Sequence, residues 1–166
     1  SIIRTLKEIS FSGEVYGIDD DERTVASAYD LGFIQNKDSN IPNDLDDLLV
    51  IFSVPVLSIK EAISQINILI NTKNVIYTDT LSVKSSILNT LKALDKTILE
   101  RFVLSHPIAG SEQSGFKASS AALFKQKLSI ICPHEYNSEI DVSKIEDFWK
   151  SLGSYTKKLS ANDHDK

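Results

Sequence analysis

The chain reads as an α/β protein with a doubly wound, mainly parallel sheet. Three observations predict this. Short apolar segments and amphipathic helical segments alternate repeatedly along 166 residues. The apolar run at 48–52 is unbroken, which suits a strand covered on both faces. The connections are short, and neither a repeat nor a low-complexity segment interrupts them.

The elements follow in order. Residues 1–9 carry apolar side chains at 2, 3, 6 and 9, a helical period, and Ser12-Gly13 ends it. Residues 15–18 predict a short strand. Residues 20–31 predict a helix that buries Val25, Ala28, Tyr29 and Leu31, with Gly32 as its stop. The stretch 36–47 is the one long polar loop. A strand over 48–54 is closed by Pro55, and a helix over 58–70 has apolar residues at 59, 62, 63, 66, 69 and 70. A strand at 75–77 precedes a helix over 83–94, for which Ser82 is a good N-cap. Strands at 102–104 and 128–132 flank a short helix at 116–124. A helix over 142–152, carrying Phe148 and Trp149, leads to a last strand at 155–159.

Composition narrows the function classes. The length fits one domain with a real core. A net charge of −5 argues against a nucleic-acid partner, which wants a basic footprint. No apolar run approaches the ~18 residues that a membrane span needs. Cys132, the single cysteine, lies in an apolar strand and reads as a core residue; it offers neither a disulfide nor zinc spacing, and no metal site is expected. A cytoplasmic setting is expected.

Chemistry concentrates in Leu104-Ser105-His106-Pro107-Ile108-Ala109-Gly110-Ser111-Glu112-Gln113-Ser114-Gly115. Pro107 pushes His106 toward extended geometry, so the histidine sits on a stiff strand end. Polar, Gly-containing loops after strand ends are where open α/β sheets bind ligands. Asp19 ends the strand predicted at 15–18. In a dinucleotide-binding fold an acid there accepts hydrogen bonds from the adenosine ribose and repels a 2′-phosphate, favouring NAD. The competing role is a helix cap, which Asp20 or Asp21 could also fill. Ser53 and Pro55 end the next strand, either beneath a cofactor or as simple strand termination. Ser82 can cap its helix and also hydrogen-bond an imidazole or a nicotinamide amide. Lys84, one turn into that helix, reads more readily as solvated than as a ligand contact. None of the six glycines forms a Gly-x-Gly-x-x-Gly turn, and the chain opens within a helical pattern. It is therefore expected to be a piece of a longer protein.

The segment 48–56, the run Tyr77-Thr78-Asp79-Thr80-Leu81-Ser82-Val83-Lys84 and above all Ser105-His106-Pro107-Ile108-Ala109-Gly110-Ser111-Glu112-Gln113-Ser114-Gly115 resemble prephenate dehydrogenase. The resemblance covers essentially the whole chain. It implies a Rossmann-like dinucleotide-binding domain over 1–160, lacking its glycine turn. Residues 161–166 would start the linker into an absent C-terminal helical domain through which the family forms homodimers. It implies oxidative decarboxylation of prephenate by NAD to 4-hydroxyphenylpyruvate, a step toward tyrosine. His106 would be the base, Ser82 would hydrogen-bond it, and Ser111 and Glu112 would line the substrate mouth. Asp19, Ser53, Pro55 and Ser82 would contact the cofactor. Arogenate dehydrogenase shares these segments. A β-hydroxyacid-type dehydrogenase, whose base is a lysine in a later helix, and a non-catalytic nucleotide-sensing domain remain alternatives.

Overall fold

A computed structural model describes residues 1–42, 45–70, 74–110 and 119–166. The chain starts with helix α1 (Ile2–Glu8) and passes through an extended stretch to α2 (Glu22–Asp30). Strand β1 (Leu48–Phe52), a 3₁₀ turn at Val56–Ser58 and helix α3 (Ile59–Leu69) follow. Then come β2 (Val75–Asp79), α4 (Ser85–Lys92), α5 (Lys96–Arg101) and β3 (Leu104–Pro107). Strand β4 (Leu128–Cys132), helix α6 (Glu139–Ser151), β5 (Tyr155–Lys158) and α7 (Ala161–His164) complete it.

Strands β1 and β2 pair in parallel, as do β4 and β5. The two ladders meet through a parallel bridge between Tyr77 and Phe102, with the Val103 N–H donating to the Tyr77 carbonyl at 2.9 Å. One apolar cluster stacks Phe52, Tyr77 and Phe102 under α3, α4 and α5. A second gathers Ile76, Val103 and Ile131 around Trp149 of α6. Helices thus cover both faces, which is why β2 can be buried at every position.

Several local expectations change. Tyr29 and Leu31, expected to be buried by the helix over 20–31, are exposed, because the buried face of α2 is Val25 and Ala28. Residues 15–18 form no strand: Gln35 and Asn36 hold the segment instead, the Gln35 Oε1 accepting the Val15 N–H at 2.9 Å and the Asn36 Oδ1 accepting the Gly17 N–H at 2.8 Å. Those side-chain amides and one backbone bond, the Gln35 N–H donating to the Val15 carbonyl at 2.9 Å, stand in for a ladder there. Strand β4 runs antiparallel to β3, a single departure within a mainly parallel arrangement of the described strands. The helix expected at 116–124 is not found over 119–124, and 116–118 lie outside the described residues. The strand expected at 102–104 starts two residues later. The reason is α5, which sequence periodicity missed: Asp95 caps it by accepting the Thr97 N–H at 2.7 Å, and Phe102 is its C-cap.

Candidate functional site

Asp79 is the last residue of β2 and is fully buried. A carboxylate in such a place costs several kcal/mol unless it is paired. Lys84 supplies the pairing. Its Nζ contacts the Asp79 carboxylate and donates to the Ser105 carbonyl at 2.7 Å, with both charged side chains at 0% exposure. Asp79 also accepts the backbone N–H of Ser105 at 3.1 Å and of Leu81 at 3.2 Å. Burial pushes the Asp79 carboxyl up and the Lys84 amine down, and their mutual attraction opposes both shifts. The Ser105 hydroxyl donates to the Asp79 carbonyl at 2.6 Å and accepts the Trp149 indole N–H at 3.0 Å. The residue directly before His106 is therefore fixed by its N–H, its carbonyl and its side chain.

His106 follows on β3, half-buried. Its Nδ1 lies 2.9 Å from Nε2 of His164, the rings meeting edge to face. Burial first, then the charges of Lys84 and His164, lower its pKa to about 4 against the pull of Asp165. The imidazole is thus neutral across physiological pH and available as a base. The other titratable groups of this layer are inert by comparison. Burial pushes the Cys132 thiol up to about 12, and His134 binds the Phe102 carbonyl at 2.9 Å.

A cleft of about 800 Å³ opens where β1, β2 and β3 end. Asp19, Ser53, Thr80, His106 and Gly110 line it, together with the first residues of α1. Three sequence-predicted residues, Asp19, Ser53 and His106, therefore share one cavity. Asp19 is exposed, and its Oδ1 accepts the Asp21 N–H at 2.9 Å. The helix-capping role falls to Asp21, which accepts the Arg23 N–H at 3.1 Å and the Thr24 hydroxyl at 3.2 Å. Ser53 accepts the Thr80 hydroxyl at 3.2 Å, tying the ends of β1 and β2 together.

Two predicted residues do not line the cleft. Pro55 is exposed and turns the chain, its carbonyl accepting the Ser58 N–H at 2.9 Å. Ser82 is exposed in the turn before α4 and is not its N-cap, a correction with a clear cause. The helix starts at Ser85, and the Asp165 carboxylate takes the backbone N–H groups of Lys84 at 2.9 Å and Ser85 at 2.8 Å. The partner of His106 on the described residues is accordingly His164, where Ser82 was expected. Ser111 and Glu112 lie outside the described residues. Lys84 is the residue that sequence reasoning misjudged. The available signal was Asp79, five positions upstream at the end of an apolar strand, where a buried acid demands a cation.

Comparison with known proteins agrees with this geometry. The model of the prephenate dehydrogenase nucleotide-binding domain matches residues 2–158. The chain belongs to that family. A cyclohexadienyl dehydrogenase of Zymomonas mobilis is 32% identical over 135 residues, 78% of this chain and 45% of the relative. A prephenate dehydrogenase of Bacillus subtilis is 26% identical over 171 residues, 99% of this chain and 44% of the relative. The prephenate dehydrogenase of Aquifex aeolicus, solved with hydroxyphenyl propionate and NAD+, superposes with a TM-score of 0.86 at 26% identity, over 99% of this chain and 57% of that one. The arogenate dehydrogenase of Synechocystis shares the fold, at a TM-score of 0.85 and 18% identity over 99% of this chain and 57% of that one. The chain spans about 45% of the length of the curated relatives it matches. It is a Rossmann-like nucleotide-binding domain of a dehydrogenase family of aromatic amino acid biosynthesis. Among the described residues no helix is long and apolar enough to cross a membrane, and no cluster of His, Cys, Asp and Glu could hold a metal ion.

Proposed function

We propose that the protein carrying this chain oxidises and decarboxylates prephenate to 4-hydroxyphenylpyruvate with NAD, a step of tyrosine biosynthesis. The observation that carries the reading is a neutral imidazole, His106, in the same cleft as Asp19. The residues present fit a dinucleotide: an exposed acid stands at one part of the cleft, and a base on a rigid strand stands at another. Asp19 would accept the adenosine ribose hydroxyls and repel a 2′-phosphate. Ser53, which lines the cleft, would add a polar contact, whereas Pro55 and Ser82 lie outside it. When bound, the nicotinamide supplies the hydride acceptor.

The demand on the protein is modest, because decarboxylation makes the ring aromatic and drives the reaction. His106 accepts the proton of the ring hydroxyl as that carbon is oxidised, and its low pKa keeps it unprotonated for the task. Ser111 and Glu112 would border the substrate. Arogenate is the alternative substrate, supported by the cyclohexadienyl and arogenate dehydrogenases among the similar proteins. A cytoplasmic homodimer joined through a helical domain fits the family resemblance. The buried machinery behind His106 disfavours a purely nucleotide-sensing role, which needs no base.

The test is NADH formation by the protein carrying this chain, with prephenate and with arogenate, beside NAD titrations. Replacing His106 by Asn should lower turnover by roughly 10² to 10⁴, the usual worth of a positioned base, with NAD affinity little changed. Lost NAD affinity with turnover preserved at saturation would make His106 a cofactor ligand and refute the mechanism.

A further inference from the structure

We infer that His164 and Asp165 are positioning residues that fix the proton of His106 on Nδ1 and leave its Nε2 bare as the base. This rests on His106 being the proton acceptor of the reaction. The inference begins with Asp165. Its carboxylate takes the N–H groups of Lys84 and Ser85 at the start of α4, at 2.9 and 2.8 Å. Burial alone would push this carboxyl up. The His164 imidazole and these backbone donors instead hold it far below the usual carboxylate range. Asp165 is thus an ionised group that only accepts hydrogen bonds.

One proton assignment follows from the next. The His164 Nδ1 lies 2.8 Å from Asp165 Oδ1, so it must carry the donated hydrogen. In the tautomer that carries this hydrogen alone, His164 has a bare Nε2. That atom lies 2.9 Å from His106 Nδ1, so His106 donates there. His106 Nε2 is left with its lone pair and makes no hydrogen bond among the described residues. The titratable groups that act on His106 are Lys84, His164 and Asp165. Lys84 opposes a second cation beside it, which disfavours any proton pattern with an extra charge on His106.

The placement is built. The Ser160 hydroxyl caps α7 by accepting the Asp163 N–H at 3.1 Å. Ser85 Oγ donates to Asn162 Oδ1 at 3.1 Å, docking α7 on the start of α4. The His164 side chain is 4% exposed, so its ring is held in one orientation by packing.

The experiment reads tautomers directly. The full chain, with ¹⁵N-labelled histidine, should show His106 protonated at Nδ1 and bare at Nε2 at neutral pH. Replacing His164 by Leu should give a mixture of His106 tautomers. In the protein carrying this chain it should lower kcat by about 10²-fold, with the KM for NAD unchanged. His164→Gln, whose side-chain carbonyl can accept from Nδ1, should restore both the tautomer and most of kcat, which a role in folding alone would not. A proton found on Nε2 of His106 in the unmodified chain overturns the inference. So does a His164→Leu variant with unchanged tautomer and kcat. The expected tautomers in a protein that oxidises neither prephenate nor arogenate would uphold the positioning and refute the proposed function.

Discussion

The two sides of the cleft, the one proposed for the cofactor and the one proposed for the base, are built on opposite principles. Asp19 and Ser53 stand on exposed backbone, and the segment before Asp19 is held by the side chains of Gln35 and Asn36 rather than by a ladder. The cluster beneath it is small, with Val25, Ala28 and Ile34 at its centre. His106 stands on a strand whose preceding residue is locked by a buried ion pair, an indole and a hydroxyl. The difference suits the two proposed tasks. A ribose hydroxyl is recognised by an acceptor that adapts as the ligand arrives. A proton acceptor must already be oriented, neutral and shielded before the reaction begins.

The largest effect should come from unbalancing the buried pair. Lys84→Met removes the only cation paired with Asp79 among the described residues and strands a buried carboxylate. The expected loss is about 3–5 kcal/mol of stability. For a domain of this size that lowers Tm by roughly 6–20 °C. Adding Asp79→Asn should recover part of the loss, because the uncompensated charge is gone. A single variant as stable as the unmodified chain would mean that the pair does not anchor the base side. Thermal unfolding of both variants measures this.

That pair also marks how far the sequence carries. The alternation of elements, the helix stop at Gly32 and the joint placement of Asp19, Ser53 and His106 were legible, because each rests on periodicity, a turn residue or an expected strand end; the run at 48–52, read as covered on both faces, is only partly buried, with Leu49 exposed. Gly32 does adopt φ +67°, the left-handed conformation that suits a helix stop. Lys84 was misjudged because position within a helix says nothing about a partner on the neighbouring strand. The bond between His106 and His164 joins residues 58 positions apart, a contact that no local pattern encodes. Residues 15–18 have strand-like composition, but pairing decides a strand, and tertiary context overrode propensity. The start of α4 was misplaced for a similar reason: its capping carboxylate, Asp165, comes from the far end of the chain.

On the open side the effect should be smaller and confined to binding. Asp19→Asn keeps the size of the side chain but removes the charge. NAD affinity should weaken by roughly 1.5–3 kcal/mol, the worth of hydrogen bonds to a charged acceptor, while stability stays within about 0.5 kcal/mol of the unmodified protein, as for most surface changes. Discrimination against NADP should shrink, since the carboxylate no longer repels the 2′-phosphate. Calorimetric titration of both cofactors reads this. Stronger NADP than NAD binding by the unmodified protein would remove Asp19 from the role, and the contrast between the two sides would lose its cofactor half.

The smallest effect is the coupling of His106 to pH, and it sharpens what separates the two sides. Its folded pKa is about 4, below the ordinary 6.5. Between these values the unfolded chain holds a proton that the folded chain does not. Stability should therefore be greatest above pH 6.5, fall as pH drops toward 4, and lose nothing further from this group below that. Because His106 is only half-buried, solvent discounts the full linkage to roughly 1–2 kcal/mol. His134, also shifted downward by burial, contributes to the same window and must be separated. Comparing the pH dependence of Tm in the unmodified chain with that of His106→Gln isolates the share of His106. The variant should show the shallower fall between pH 6.5 and 4. Direct NMR titration should find the His106 ring still neutral at pH 5. A ring that titrates near 6.5 would show that Lys84 and the surrounding burial do not hold it neutral. The base side would then be no more preorganised than the exposed side that Asp19 occupies.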